Sequence, residues 1–292
     1  MSGDAGTRVR GEERTRALWQ WAIPLLGALV ILLYFPILQG LIKQWWNEPD
    51  FSHGFIVPVF AGYVVWLTRE RWQAIPPQPD GRGLFVILAA LCMLLAGSVA
   101  AVLFVSRLSM LVLLLGIVLY LAGREMISEM AFPLGYLLLM IPPPEIIYNQ
   151  ITFPLQLWAS RVAFTLLQWV HVPVLLEGNI LLLPNYSLEV AEACSGIRSL
   201  LSLIALTVAY GYIAEKRGWL RVALVFITVP VAILSNSLRV FGTGLATYWI
   251  GPEWANGFLH EMSGFVVFFV AAGFIVLVHW VVALFLRPRN VK

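Results

Sequence analysis

The stretch EVAEACSGIRSL, residues 189–200, places Cys194 among carboxylates and an arginine in a chain that is otherwise largely apolar. Three more residues could act with such a thiol: Arg239 in AILSNSLRVFGTG, His260 in GFLHEMSGF and His53 in DFSHGFIVP. Together they could carry acyl transfer through a thioester. The thiolate attacks a peptide carbonyl, a guanidinium steadies the oxyanion or the thiolate, and an imidazole moves a proton to the leaving amine.

Each residue also has a plainer reading. Cys194 could be a small buried hydrophobe. Against this, SGIRS reads as the first turn of a helix, whose free N–H groups and partial positive charge lower a thiol pKa from about 8.5. Arg198, one turn on at i+4, adds a full positive charge. A depression of about two units, worth roughly 2.7 kcal/mol, makes thiolate the majority form at neutral pH. Arg239 could snorkel to lipid headgroups, but Asn236 and Ser235 at i−3 and i−4 form a polar stripe that points to a bundle-facing side. His53 and His260 could be hydrogen-bonded interfacial residues. Glu192, two residues before the thiol, and Asn236 join Arg198 and His53 as supporting candidates. A zinc site from Cys194, His53 and His260 lacks any local ligand spacing such as HExxH or CxxC, so we expect no metal and no cofactor.

Composition determines what must position these groups. Hydrophobic residues make up 60% and charged residues 12%, with mean hydropathy +0.84, where soluble domains carry about a quarter charged residues. The chain therefore reads as a polytopic membrane protein. Apolar runs near 17–38, 54–68, 83–104, 108–123, 126–141, 197–214, 219–238 and 262–286 predict about eight transmembrane helices. The run at 54–68 needs its flanks to complete a span. Residues 1–16 read as a disordered basic tail, 17–286 as a single transmembrane domain and 287–292 as a second tail. The N-terminal apolar run lacks a small-residue cleavage site and reads as a retained span. Cys92, inside an apolar run, is independent of Cys194.

Under simple alternation fourteen of the 19 basic residues fall on one side, among them Arg8, Arg14, Arg69, Arg82, Arg124, Lys216, Arg217 and Arg287. Lys43, Arg107, Arg161, Arg198 and Arg239 are the exceptions. The positive-inside rule then puts both termini in the cytoplasm. The net charge of +3 reports orientation and not a nucleic acid partner. Residues 142–196 become one extracytoplasmic excursion opened by IPPPE, which cannot continue a helix. Within it, 145–170 predicts a helix lying in the interface or re-entering the bundle. Apolar runs on either side of Pro184-Asn185-Tyr186 predict a small β-hairpin, whose edges cannot face lipid. The fold expected is all-α, with an interfacial helix and this hairpin just before Cys194.

The segments EACSGIRSL, NSLRV and HEMSGF, in that order, resemble the Cys, Arg and His motifs of the exosortase/archaeosortase family, and SHGFIVPV resembles the block that family carries before its second helix. The similarity runs from about residue 20 to 285. It implies a multi-spanning cysteine protease, taken to be a transpeptidase, with nucleophile Cys194, Arg239 as the arginine and His260 as the third catalytic position. Sortases use the same groups on an unrelated soluble β-barrel. The resemblance also implies substrates bearing a C-terminal Pro-Glu-Pro-type motif, a transmembrane helix and a basic tail. The histidine favours the bacterial branch, as in exosortase A, and an inner-membrane location with the site on the periplasmic side. Some relatives carry an additional soluble domain after residues equivalent to RPRNVK, and a separate accessory protein would supply it here. The rival readings are a transporter, which needs a central cavity and helices broken near the midplane, and a scaffold for polymer or protein export.

Overall fold

The computed structural model describes residues 3–184, 186–190, 196–251 and 258–286, with side chains from residue 24 onward except at 196–198 and 258–261. The chain divides into two units, Met1–Gln44 and Trp45–Lys292. The first consists of most of helix α1 (Gly3–Asn47), whose segment Pro24–Asn47 is long and apolar enough to cross a membrane. Residues 3–16, expected as a disordered tail, are helical. The Arg and Glu residues in this stretch are good helix formers, against the opposing preference of Gly3, Gly6 and Gly11.

The second unit begins with a 3₁₀ turn, Pro49–Phe55, which continues into α2 (Ile56–Leu67). The turn supplies the flank that the short run at 54–68 needed, and Pro49–Leu67 together reach spanning length. A short α3 (Arg69–Gln73) precedes the paired α4 (Arg82–Val99) and α5 (Leu103–Ala122). Then come α6 (Arg124–Tyr136), a 3₁₀ turn at Leu137–Met140, and α7 (Glu145–Trp169). After a small sheet, the described chain resumes with α8 (Gly196–Ala214), α9 (Gly218–Trp249) and α10 (Phe258–Phe285).

Among the described residues, six helices meet the length and apolarity needed to span, and seven if α6 and α7 count as one bent pair. α8 is not counted among these, and the expected count of about eight is not confirmed. The run at 197–214 lies in α8, a 19-residue helix from Gly196 to Ala214, close to the 20 or so residues a span requires. The run at 126–141 breaks at the proline triplet and turns by 78° into α7. Proline supplies no N–H and pushes the residue before it out of helical geometry, so three in succession force such a corner. Of the two readings of 145–170, the packing favours re-entry into the bundle: α7 packs along α9 and also touches α8. Exposed Trp66, Trp169, Trp219 and Trp249 lie at helix ends, where amphipathic rings settle at the membrane–water boundary.

The predicted hairpin is a three-stranded antiparallel meander, β1 (Leu175–Glu177), β2 (Ile180–Leu183) and β3 (Tyr186–Glu189). Leu183 pairs with Tyr186, so that Tyr186, expected in the turn, begins β3, and Glu177 pairs with Ile180 across Gly178-Asn179. Gly178 takes φ +62°, as the first residue of a two-residue hairpin turn often must, and glycine does so without a Cβ clash. Leu181, Leu183 and Leu188 bury themselves with Ala159, Ala163 and Leu167 of α7 and Val240 of α9. The sheet thus rests on protein. A second core of Leu200, Leu203, Leu224, Val231, Ala232, Ala271 and Ile275 joins α8, α9 and α10. In lipid such contacts act through close packing, not water exclusion. They fix the three helices whose sequences carry the candidate residues.

Candidate active site

Arg239 lies within α9, ten residues before its end at Trp249. The sequence had placed it at the helix terminus. The buried face of this stretch carries Asn236, Ser237 and Val240, while Leu234 and Leu238 point outward. Asn236 is three residues from Arg239 and so one turn away on a neighbouring edge. From there the Arg239 Nε donates to the Ser263 Oγ of α10 at 3.4 Å. Gly264 is the next contact: a Cβ built there would meet Cζ at 3.2 Å and the two terminal nitrogens at 3.2 and 3.3 Å. The guanidinium therefore covers the second turn of α10.

His260 occupies the first turn of α10. It precedes Ser263 by three residues and Gly264 by four, the spacing of positions stacked on one helix edge. The backbone thus sets His260 one turn from the contact that Arg239 makes.

Cys194 and Glu192 lie outside the described residues. α8 begins at Gly196, two positions after Cys194, and Arg198 falls in its first turn. A shallow crevice, open on one side and with enclosed room for only about one water molecule, runs between α7, α8 and α9. It is lined by Thr152, Leu155, Gln156, Leu200, Ala232, Ile233 and Asn236. Asn236 joins this crevice to the Arg239 region.

His53 belongs to the 3₁₀ turn Pro49–Phe55, which packs against α8 and against Leu137–Met140. The turn is pinned from several sides. Tyr148 of α7 donates to Asp50 Oδ2 at 2.6 Å, and Phe51 packs on the Tyr148 ring with centroids 5.6 Å apart. The Trp45 indole N–H donates to Met140 O at 3.0 Å. His53 Nε2 meets Leu139 O at 3.2 Å. A carbonyl only accepts, so Nε2 carries the proton. Nδ1 is buried without a hydrogen-bond partner among the described residues.

A model of the transmembrane exosortase family matches residues 45–277. The chain belongs to the transmembrane exosortase family. No curated protein and no solved structure matches it. The exosortase match contains all four sequence segments that carry the resemblance, from SHGFIVPV to HEMSGF. Exosortase membership accounts for a multi-pass membrane protein.

The structure brings Arg239 onto the helix that carries His260, and it sets the turn bearing His53 against the helix that follows Cys194. It also adds residues that sequence reasoning left unassigned. Ser263 and Gly264 sit inside HEMSGF, yet only their contact with Arg239 gives them a role. Gln156 was one polar residue among several in 145–170 until the crevice singled it out. Farther along the same helices, Tyr210 of α8 and His279 Nδ1 of α10 lie 2.7 Å apart, and His279 Nε2 is 3.3 Å from Glu215 Oε2. His279 is almost fully buried. A histidine within a spanning run is visible in the sequence, but its partners are 64 and 69 residues away.

Proposed function

We propose that this chain is a membrane-embedded cysteine transpeptidase that cuts the C-terminal sorting signals of exported proteins at the outer face of the inner membrane. The observation that carries the reading is the convergence of Arg239 on Ser263 and Gly264, one turn from His260, on helices packed against α8. The Cys194 thiolate attacks the scissile carbonyl carbon and forms a C–S bond. Charge collects on the carbonyl oxygen, where the planar fork of Arg239 donors is suited to receive it. Collapse breaks the C–N bond, His260 delivers a proton to the leaving amine, and the exported protein remains as a thioester. An amine or hydroxyl acceptor, or water, then displaces the thiol and regenerates it.

A single-span substrate with a basic tail inserts with that tail in the cytoplasm. Its Pro-Glu-Pro-type motif is then presented outside, beside Cys194, and cleavage needs no channel across the bilayer. His260 supports the bacterial branch of the family.

Co-expression with a substrate bearing such a tripartite signal tests the reading by gel shift. Cys194→Ala should insert normally and abolish processing, Cys92→Ala should process at the wild-type rate, and His260→Ala should be severely slowed. Full processing by Cys194→Ala would end the proposal. A transporter, which would also use a bent helix pair such as α6–α7, predicts no processing dependent on this chain at all. Mass spectrometry of the new C-terminus then separates hydrolysis, which leaves a free acid, from transpeptidation, which leaves an adduct.

A further inference from the structure

The crevice leads away from Arg239 along the three helices. Asn236 is one turn before Arg239 on α9, and Ala232 and Ile233 are a turn earlier. On α8, Leu200 stands four residues past Gly196, about 6 Å along the axis at 1.5 Å per residue. With α8 running inward from Gly196, the crevice lies about one turn deeper in the bilayer than the start of that helix. A substrate cut at Cys194 has its transmembrane segment on the C-terminal side of the scissile bond. An extended residue advances about 3.3 Å, so the first two or three residues beyond that bond reach the crevice.

Those residues cannot remain helical while a thiol attacks the bond beside them. An unwound backbone at this depth exposes N–H and C=O groups that hydrocarbon cannot satisfy, and irregular backbone is tolerated in a membrane only against protein or water. A carboxamide offers both an acceptor and two donors, which is what a peptide unit requires. The crevice holds two, Gln156 from α7 and Asn236 from α9. Asn236 is 6% exposed, and neither carboxamide is hydrogen-bonded to another described residue. The Thr152 hydroxyl is already given to Tyr148 O at 2.7 Å. Leu155, Leu200, Ala232 and Ile233 complete an apolar wall suited to the side chains of a membrane segment.

We propose that Gln156 and Asn236 hold the unwound backbone of the substrate just C-terminal to the scissile bond, so that the crevice is the leaving-group-side subsite. This rests on Cys194 being the nucleophile.

The test uses the full chain with a tripartite-signal substrate. Gln156→Leu and Asn236→Leu keep approximate size and remove the hydrogen bonds. Each should lower kcat/KM about tenfold and leave the alkylation rate of Cys194 by iodoacetamide unchanged. A Gly-Gly pair placed just after the scissile bond of the substrate, which weakens its helix, should recover part of the loss. In a Cys194→Ala background, a photo-crosslinking benzoylphenylalanine at Ile233 should mark substrate residues C-terminal to the cut. If Asn236→Leu fails to accumulate, Gln156→Leu at its half-buried position and the crosslink decide. Wild-type rates in Gln156→Leu, or crosslinks confined to residues N-terminal to the cut, would overturn the subsite. Processing by Cys194→Ala would overturn the nucleophile instead, while a C-terminal-side crosslink would still stand.

Discussion

Arg239 and Gly264 are in contact across α9 and α10, with the central Cζ and both terminal nitrogens of the guanidinium nearly equidistant from the missing Cβ, at 3.2–3.3 Å. The near-equality means the flat face of the guanidinium covers the glycine. Any side chain there must push the arginine away.

Gly264→Ala should therefore displace the guanidinium by a few tenths of an ångström, because the flexible arginine is the part that can yield. Misplacement by 1 Å can cost about 10²-fold in rate, so a loss of about tenfold in kcat is expected for alanine. Gly264→Leu should lose nearly all activity, as should Arg239→Lys, whose ammonium lacks the planar fork. Kinetics of substrate cleavage check the series. Equal rates for glycine and leucine at 264 would show that this contact does not position Arg239 for catalysis.

The elements that carry these residues were legible for different reasons. Long apolar runs declare themselves by composition, so α4, α5, α9 and α10 followed directly. The corner at the proline triplet was equally plain, because proline acts locally. What composition could not give was how far α9 continues past its apolar run. Thr243, Thr247 and Gly244 are buried there, supported by packing against α7 and not by hydropathy. Likewise β1 has too few residues to show a strand period, and its existence depends on pairing with β2.

In the site, reactive types stood out singly, since a thiol, a guanidinium or an imidazole near hydrocarbon is uncommon. Their neighbours did not. Ser263 and Gly264 are ordinary residues in a helix, and Gln156 is one amide in a mixed segment. Their roles arise from α7, α9 and α10 meeting, a relationship that no local pattern encodes.

His53 allows a separation of fold from chemistry. Its Nε2 bond to Leu139 O holds two 3₁₀ turns together, and a hydrogen bond of this kind contributes about 1 kcal/mol. His53→Ala should lose that stability in thermal unfolding. His53→Gln should recover it, because the longer amide reaches the Nε2 position. The glutamine places no acceptor at the buried Nδ1 site, so its processing rate should stay well below that of wild type. A glutamine variant as active as wild type would confine His53 to a structural role.

Glu215 ties α8 to α10 and to the start of α9. The Arg217 backbone N–H, 2.8 Å from Oε1, holds its carboxyl below the usual carboxylate range. Burial acts in the opposite direction and His279 assists the lowering. A depressed folded pKa contributes stability that is complete above the unfolded value of about 4.3 and disappears as pH falls through the folded value. Glu215→Gln keeps an acceptor for Arg217 and removes the titration. Wild type should be the more stable at pH 7, with the gap closing as the pH is lowered below that range. Detergent-solubilised thermal unfolding from pH 7 to 3 measures it, and a constant gap would show that the carboxylate charge contributes nothing.

The proposed orientation, with Cys194 outside, depends on one helix separating two exposed residues. Glu177 at the end of β1 and Lys216 after α8 are both exposed and flank α8 in sequence. The basic residues beside Lys216 assign that loop to the cytoplasm, and an odd number of crossings between the two then puts the sheet outside. In a chain with Cys92 and Cys194 replaced by alanine, Glu177→Cys should react with a membrane-impermeant maleimide on spheroplasts, and Lys216→Cys should react only after the membrane is opened. Labelling of 216 and not of 177 would invert the protein and remove Cys194 from the face where an exported substrate arrives. Labelling of both would mean that α8 does not cross, and Cys194 would then share a side with the basic loop.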